Sequence, residues 1–174
     1  MVDQINEFLE NELANVNYLK GMEILLESLS NKIVDIFGRN ALLSMLYQIG
    51  ATTGAVVAKR IIEEQGKESF TVIEAFSLLF RSLKSYFKVM VKRIEQDGET
   101  VSITFTNHCF LRAAIKDRPD LQAGGRLCRI TKGYIESALA TLLAGGYQKI
   151  DVAFMENDME NDCCLERVVV TKKN

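Results

Sequence analysis

The chain has 174 residues, 48% hydrophobic and 25% charged, with 21 basic against 23 acidic side chains and a formal net charge of −2. That length suits one domain, residues 1–174, with a sizeable core, and the composition excludes intrinsic disorder. The near balance of charge argues against nucleic acid or acidic lipid as a partner, and no apolar run approaches the roughly 20 residues needed to cross a bilayer.

The opening MVDQINEFLENELANVNYL is acidic and lacks a basic start followed by an apolar stretch, so it does not read as a secretory signal. The cytoplasm is then the expected compartment, where cysteines are thiols or metal ligands rather than disulfides. Residues 2–14 space Ile5, Phe8, Leu9 and Leu13 as a helix face, peripheral or dimer-forming. A second helix is expected over 18–37, with Met22, Leu25, Leu26, Leu29, Ile33, Ile36 and Phe37 on one side and Gly38 as its stop. A third runs from about 40 to 64, and Ser69 or Thr71, the latter with Glu74 three residues on, caps a fourth that ends near Tyr86.

The period then changes. Residues 88–94 and 100–106 alternate about Asp97-Gly98, which predicts a hairpin. Residues 107–123 read as a loop with one helical turn, and a long helix follows over about 126–144, closed by Gly145-Gly146. Strands are expected over 148–155 and 163–171, joined by the acidic turn ENDMEND. The fold class is α+β: a helical N-terminal half packed on a four-stranded antiparallel meander interrupted by one long helix.

Gly50, Ala51, Gly54, Ala55 and Ala58 form a small-residue stripe on the third helix. Each mid-helix glycine costs about 1 kcal/mol relative to alanine, so close approach of a neighbouring backbone, a ligand, or both is the expected return. All four cysteines fall late, at Cys109, Cys128, Cys163 and Cys164, with the single histidine His108 beside the first and Glu156 between the last two strands. Zinc takes four ligands of these types, but no CxxC pair is present. Cys163 and Cys164 are strand neighbours, so they point to opposite faces. Buried thiols acting as small hydrophobes are the alternative. Catalytic arrangements are not apparent: there is no GxSxG, P-loop or HExxH, and a thiol next in sequence to its histidine is poorly placed to be activated by it.

The ordered features Asn107-His108-Cys109, Cys128, Gly133-Tyr134, Glu156 and Cys163-Cys164, with Tyr47-Gln48-Ile49-Gly50 and Gly54 upstream, resemble the vinyl-4-reductase, or hydrocarbon-binding, domain family over about residues 15–171. The resemblance implies a fold shared with TRAPP tethering subunits and with aromatic-sensing regulator domains, an apolar pocket, and homodimers formed through the helical face. It implies a structural zinc held by Cys128, Glu156 and the Cys163/Cys164 pair. Here the family's cysteine three residues after the glutamate is Met159, which leaves Cys164, Cys109 or water as the fourth ligand. The expected function is non-catalytic binding or sensing of a small hydrophobic or aromatic molecule. Tyr47, Gly50, Gly54, Phe80, Phe105, His108, Phe110 and Tyr134 are the candidate ligand contacts, and Leu46, Ile49, Val57, Leu79, Leu83, Phe87 and Phe154 are the further apolar candidates for lining the pocket. Reduction of a tetrapyrrole vinyl group, or a tethering role with an acyl-chain slot, are the alternatives that the resemblance carries.

Overall fold

The computed structural model describes residues 18–115, 125 and 127–173. The helix expected over 2–14 lies outside them.

Helices α1 (Tyr18–Phe37) and α2 (Arg39–Gln65) meet at Gly38, whose φ of 82° breaks the helical run. α2 ends on Gly66 in the left-handed conformation, its N–H bonded to the Ile62 carbonyl. α3 (Val72–Ser82) starts with both halves of the expected capping box: the Glu74 N–H donates to Thr71 Oγ1, and the Thr71 N–H donates to Glu74 Oε2 at 2.8 Å. It stops four residues earlier than expected, in turns that lead into the sheet. Strands β1 (Phe87–Asp97) and β2 (Thr100–Cys109) pair antiparallel about Gly98, which adopts a φ of 52°. The short helix α4 (Phe110–Ile115) and the long α5 (Cys128–Leu142) follow, then β3 (Tyr147–Asp158) and β4 (Cys163–Lys172).

The α+β class holds, but the sheet is not a meander. Its strand order is β1-β2-β4-β3, all neighbours antiparallel. The chain crosses over through α5 after β2, so β3 takes the far edge and β4 fills the space beside β2. The core lies between α2, α3, α5 and one face of the sheet. Phe76, Phe80 and Phe105 form its aromatic centre, with centroids 4.7 to 5.6 Å apart.

Helices α2 and α5 touch backbone to backbone. A Cβ on Gly50 would overlap the Ile130 carbonyl oxygen, one on Gly54 that of Tyr134, and one on Gly133 that of Tyr47. The small-residue stripe is thus a helix–helix contact at Gly50, Ala51 and Gly54. The apolar side of α1 leaves Met22, Leu25, Leu29, Ile36 and Phe37 exposed, and on α2 Met45, Ile49 and Val56 are exposed too. α2 is also long and apolar enough, by length and composition, to cross a membrane, contrary to the reading of the sequence. Its glycine face is spent on α5 within the fold.

Candidate functional site

A cavity of about 770 Å³ opens between the C-terminal half of α2, the end of α3, the turn into β1, and the starts of α4 and α5. One stripe of α2 supplies Gly50, Thr53, Val57, Arg60, Ile61 and Glu64, at the spacing of a single helix face. Leu83, Phe87 and Phe110 form the opposite apolar wall, and Ile130, Thr131 and Tyr134 of α5 the side wall. Phe87 and Phe110 meet edge to face at 5.8 Å, and Phe87 also stands 6.4 Å from the Tyr134 ring. Arg81, Ser82, Lys84 and Tyr86 complete the rim. The volume lies within the range of sites that enclose small organic ligands, roughly 300 to 1,000 Å³.

Two polar groups in this wall lack partners. The Tyr134 and Thr131 hydroxyls are buried with no hydrogen-bond partner among the described residues. Burial pushes the Tyr134 phenol up to about 12, against a smaller opposing effect of the Arg60 charge.

Three of the eight candidate contacts, Gly50, Phe110 and Tyr134, line this cavity. The other five lie elsewhere. Gly54 is pressed against the Tyr134 backbone, and Phe80 and Phe105 sit in the aromatic core. Tyr47 donates to Glu136 Oε2 at 2.8 Å, a bond that joins α2 to α5. Glu136 Oε1 also receives the Val152 N–H at 2.8 Å and lies 3.1 Å from Lys132, which reaches Asp151 at 2.8 Å. Tyr47 is therefore held in a structural network, and burial first, then the Glu136 contact, raises its phenol to about 12. His108 lies in a shallower neighbouring hollow of about 380 Å³ with Lys88, Cys109, Arg112 and Asp162. Of the additional apolar candidates, Val57, Leu83 and Phe87 line the main cavity, whereas Leu46 and Leu79 are core, Ile49 is exposed and Phe154 lines a separate hollow beside Cys128. Arg60, Glu64, Arg81, Lys84 and Thr131 were not anticipated as lining residues.

The five proposed zinc ligands do not meet at one point, although Cys109 and Cys128 lie close enough for their charges to interact. Asn157 pairs with Cys164 and Asp158 with Cys163, so alternation sends the two thiols to opposite faces of the sheet. Glu156 pairs with Leu165 and so shares the side of Cys163, away from Cys164. Among the described residues no three His, Cys, Asp or Glu side chains are grouped closely enough to hold an ion. The Cys164 Sγ instead accepts a hydrogen bond from Arg112 Nη1 at 3.1 Å. That buried guanidinium also reaches Asn157 Oδ1 at 2.8 Å and Asp162 Oδ1 at 3.1 Å, pinning α4 to the β3–β4 turn. The donor set Cys109, Cys128, Glu156, Cys163 and Cys164 does not fit zinc in this arrangement, and no role is derived for the metal. Burial pushes the Cys109 thiol to about 12, the reverse of an activated nucleophile.

A second buried polar pair sits under α5. Asn107, fully buried, donates from Nδ2 to Glu166 Oε1 at 3.0 Å, while its own Oδ1 has no partner among the described residues. Burial raises the Glu166 carboxyl to about 7 despite that bond.

The fold and site together define a helix-covered antiparallel sheet with an apolar hollow beneath its helices. Solved structures share this fold. The phenol-responsive sensory domain of the transcription activator PoxR, solved with phenol, is similar with a TM-score of 0.59 at 14% identity, over 86% of this chain and 74% of that one. A trafficking protein particle complex subunit 3 from Naegleria fowleri, covalently bound to palmitic acid, is similar with a TM-score of 0.56 at 15% identity, over 90% and 98%. No family model and no curated protein matches the sequence, so the vinyl-4-reductase resemblance finds no support there, whereas the fold that it implied is the fold observed.

Proposed function

We propose that this chain binds a small apolar molecule in the cavity between α2, α3 and α5, as a binding or sensing domain rather than a catalyst. The observation that carries the reading is a hollow of about 770 Å³ whose walls are Val57, Ile61, Leu83, Phe87, Phe110 and Ile130. Two similar folds hold an apolar guest, phenol in one and palmitic acid in the other, which supports the same use of the fold here. Titration with 2-naphthol, followed by calorimetry, tests it. One saturable site is expected, and Val57→Trp, which fills the hollow from the half-buried face of α2, removes it. Equal binding by the wild type and Val57→Trp would refute the assignment.

The domain is further proposed to work as a homodimer. Ile24, Leu25, Leu29 and Ile36 of α1 and Met45, Ile49 and Val56 of α2 are all exposed, and large apolar patches on a folded surface mark interaction sites. A second copy of this chain is the occupant proposed.

A further inference from the structure

The mouth of the cavity is more basic than the protein. Arg60, Arg81 and Lys84 stand on its rim with a single acid, Glu64, in a chain whose overall charge is −2. None of the three cations is in an ion pair with a described residue. They come from α2, the end of α3 and the turn that follows, so three separate segments bring positive charge to one opening. Just inside, the wall holds the buried Tyr134 and Thr131 hydroxyls, both unpartnered among the described residues. Tyr134 is only 8% exposed and Thr131 5%, and both hydroxyl oxygens are covered, so a guest oxygen meets them only when the wall shifts locally.

From this we infer that the guest is an apolar carboxylate: an acyl or aryl acid whose hydrocarbon lies against Val57, Leu83, Phe87 and Phe110 and whose acid group is seated at the rim. Arg60 is the principal anchor, because it stands on the same wall of α2 as Val57 and Ile61 and lines the cavity together with Tyr134. A carboxylate oxygen there accepts from the guanidinium and, with a small local shift of the wall, from the Tyr134 hydroxyl. Charge-assisted bonds of this kind are shorter and about twice as strong as neutral ones. With three cations against the single acid Glu64, the rim keeps a net positive charge that attracts an anionic head group. The inference rests on the cavity being the binding site and adds the chemical class of the guest.

The test is calorimetry on the full chain with two matched pairs, 2-naphthoate against 2-naphthalenemethanol and dodecanoate against dodecanol. Each acid is expected to bind about tenfold tighter than its neutral partner at low salt, with the preference shrinking as salt screens the rim. Arg60→Gln is expected to bring the acid down to the affinity of the alcohol and leave the alcohol within about twofold, because only the charge-assisted contact is lost. Arg60 is exposed, so the variant folds, and an Arg60→Gln/Arg81→Gln pair guards against one arginine substituting for the other. Equal affinity of acid and alcohol, or an acid preference that survives both substitutions, would overturn the inference while leaving the cavity assignment intact. Failure of all four compounds to bind would overturn the cavity assignment as well.

Discussion

The same chemical change, tyrosine to phenylalanine, is expected to have opposite effects at two positions on the α2–α5 contact. At Tyr134 the hydroxyl is buried and has no partner among the described residues. A buried donor left unsatisfied costs about 1–3 kcal/mol. Tyr134→Phe deletes that oxygen and keeps the ring, including its contact with Phe87 at 6.4 Å. The ligand-free variant should therefore be more stable, by about 1 kcal/mol, which for a chain of this size is a rise in Tm of roughly 2–4 °C. At Tyr47 the hydroxyl donates to the Glu136 carboxylate at 2.8 Å. Tyr47→Phe removes a bond to a charged acceptor and should cost about 1.5–3 kcal/mol. Urea denaturation of wild type and both variants, read by circular dichroism, measures the difference directly. Equal destabilisation by both would show that the Tyr134 hydroxyl is satisfied in the free protein, and the argument that the site is held ready for a guest oxygen would fail.

Three further outcomes follow from the packing. Gly54→Ala should destabilise by about 1–3 kcal/mol, because overlap with the Tyr134 carbonyl outweighs the gain of about 1 kcal/mol in helix propensity, whereas Gly21→Ala on α1, with nothing near its Cβ, should stabilise by about 0.5–1 kcal/mol; thermal melts of the two variants decide. Glu166 holds its proton in the folded state up to about pH 7 against an ordinary 4.5, so its contribution is complete at low pH and is lost as pH rises through 7. Glu166→Gln should then gain up to about 3 kcal/mol over wild type at about pH 8 and almost nothing at about pH 4, by denaturation at each pH. Ile49→Lys on the exposed face of α2 should convert dimer to monomer in light scattering without changing the circular dichroism spectrum, and a wild type that is monomeric at high concentration would refute the dimer.

Local signals carried most of the fold. The Thr71/Glu74 box, the Asp97-Gly98 turn and the glycines at 38 and 66 each specify backbone geometry within a few residues, and the elements lie where those signals placed them. The strand order escaped because nothing local says where a strand goes after a crossover helix. The site was partly legible for the same reason. Phe110, Tyr134 and Gly50, singled out from the sequence, line the cavity, but Tyr47 is captured by Glu136, which lies 89 residues away in sequence. Nothing local marks Arg60 and Glu64 as site residues, and only the approach of Arg81 and Lys84 from another segment turns them into the rim of a site. The zinc cluster came from the family resemblance, whereas strand alternation already set Cys163 and Cys164 on opposite faces, and the register of β3 on β4 places them there.

A crystal structure of the chain with 2-naphthol bound tests the central claim most directly. The account predicts one molecule between Val57, Phe87 and Phe110, with its oxygen at Tyr134 or Thr131. Naphthol located only outside this hollow, or the hollow filled by the protein's own side chains, would contradict it.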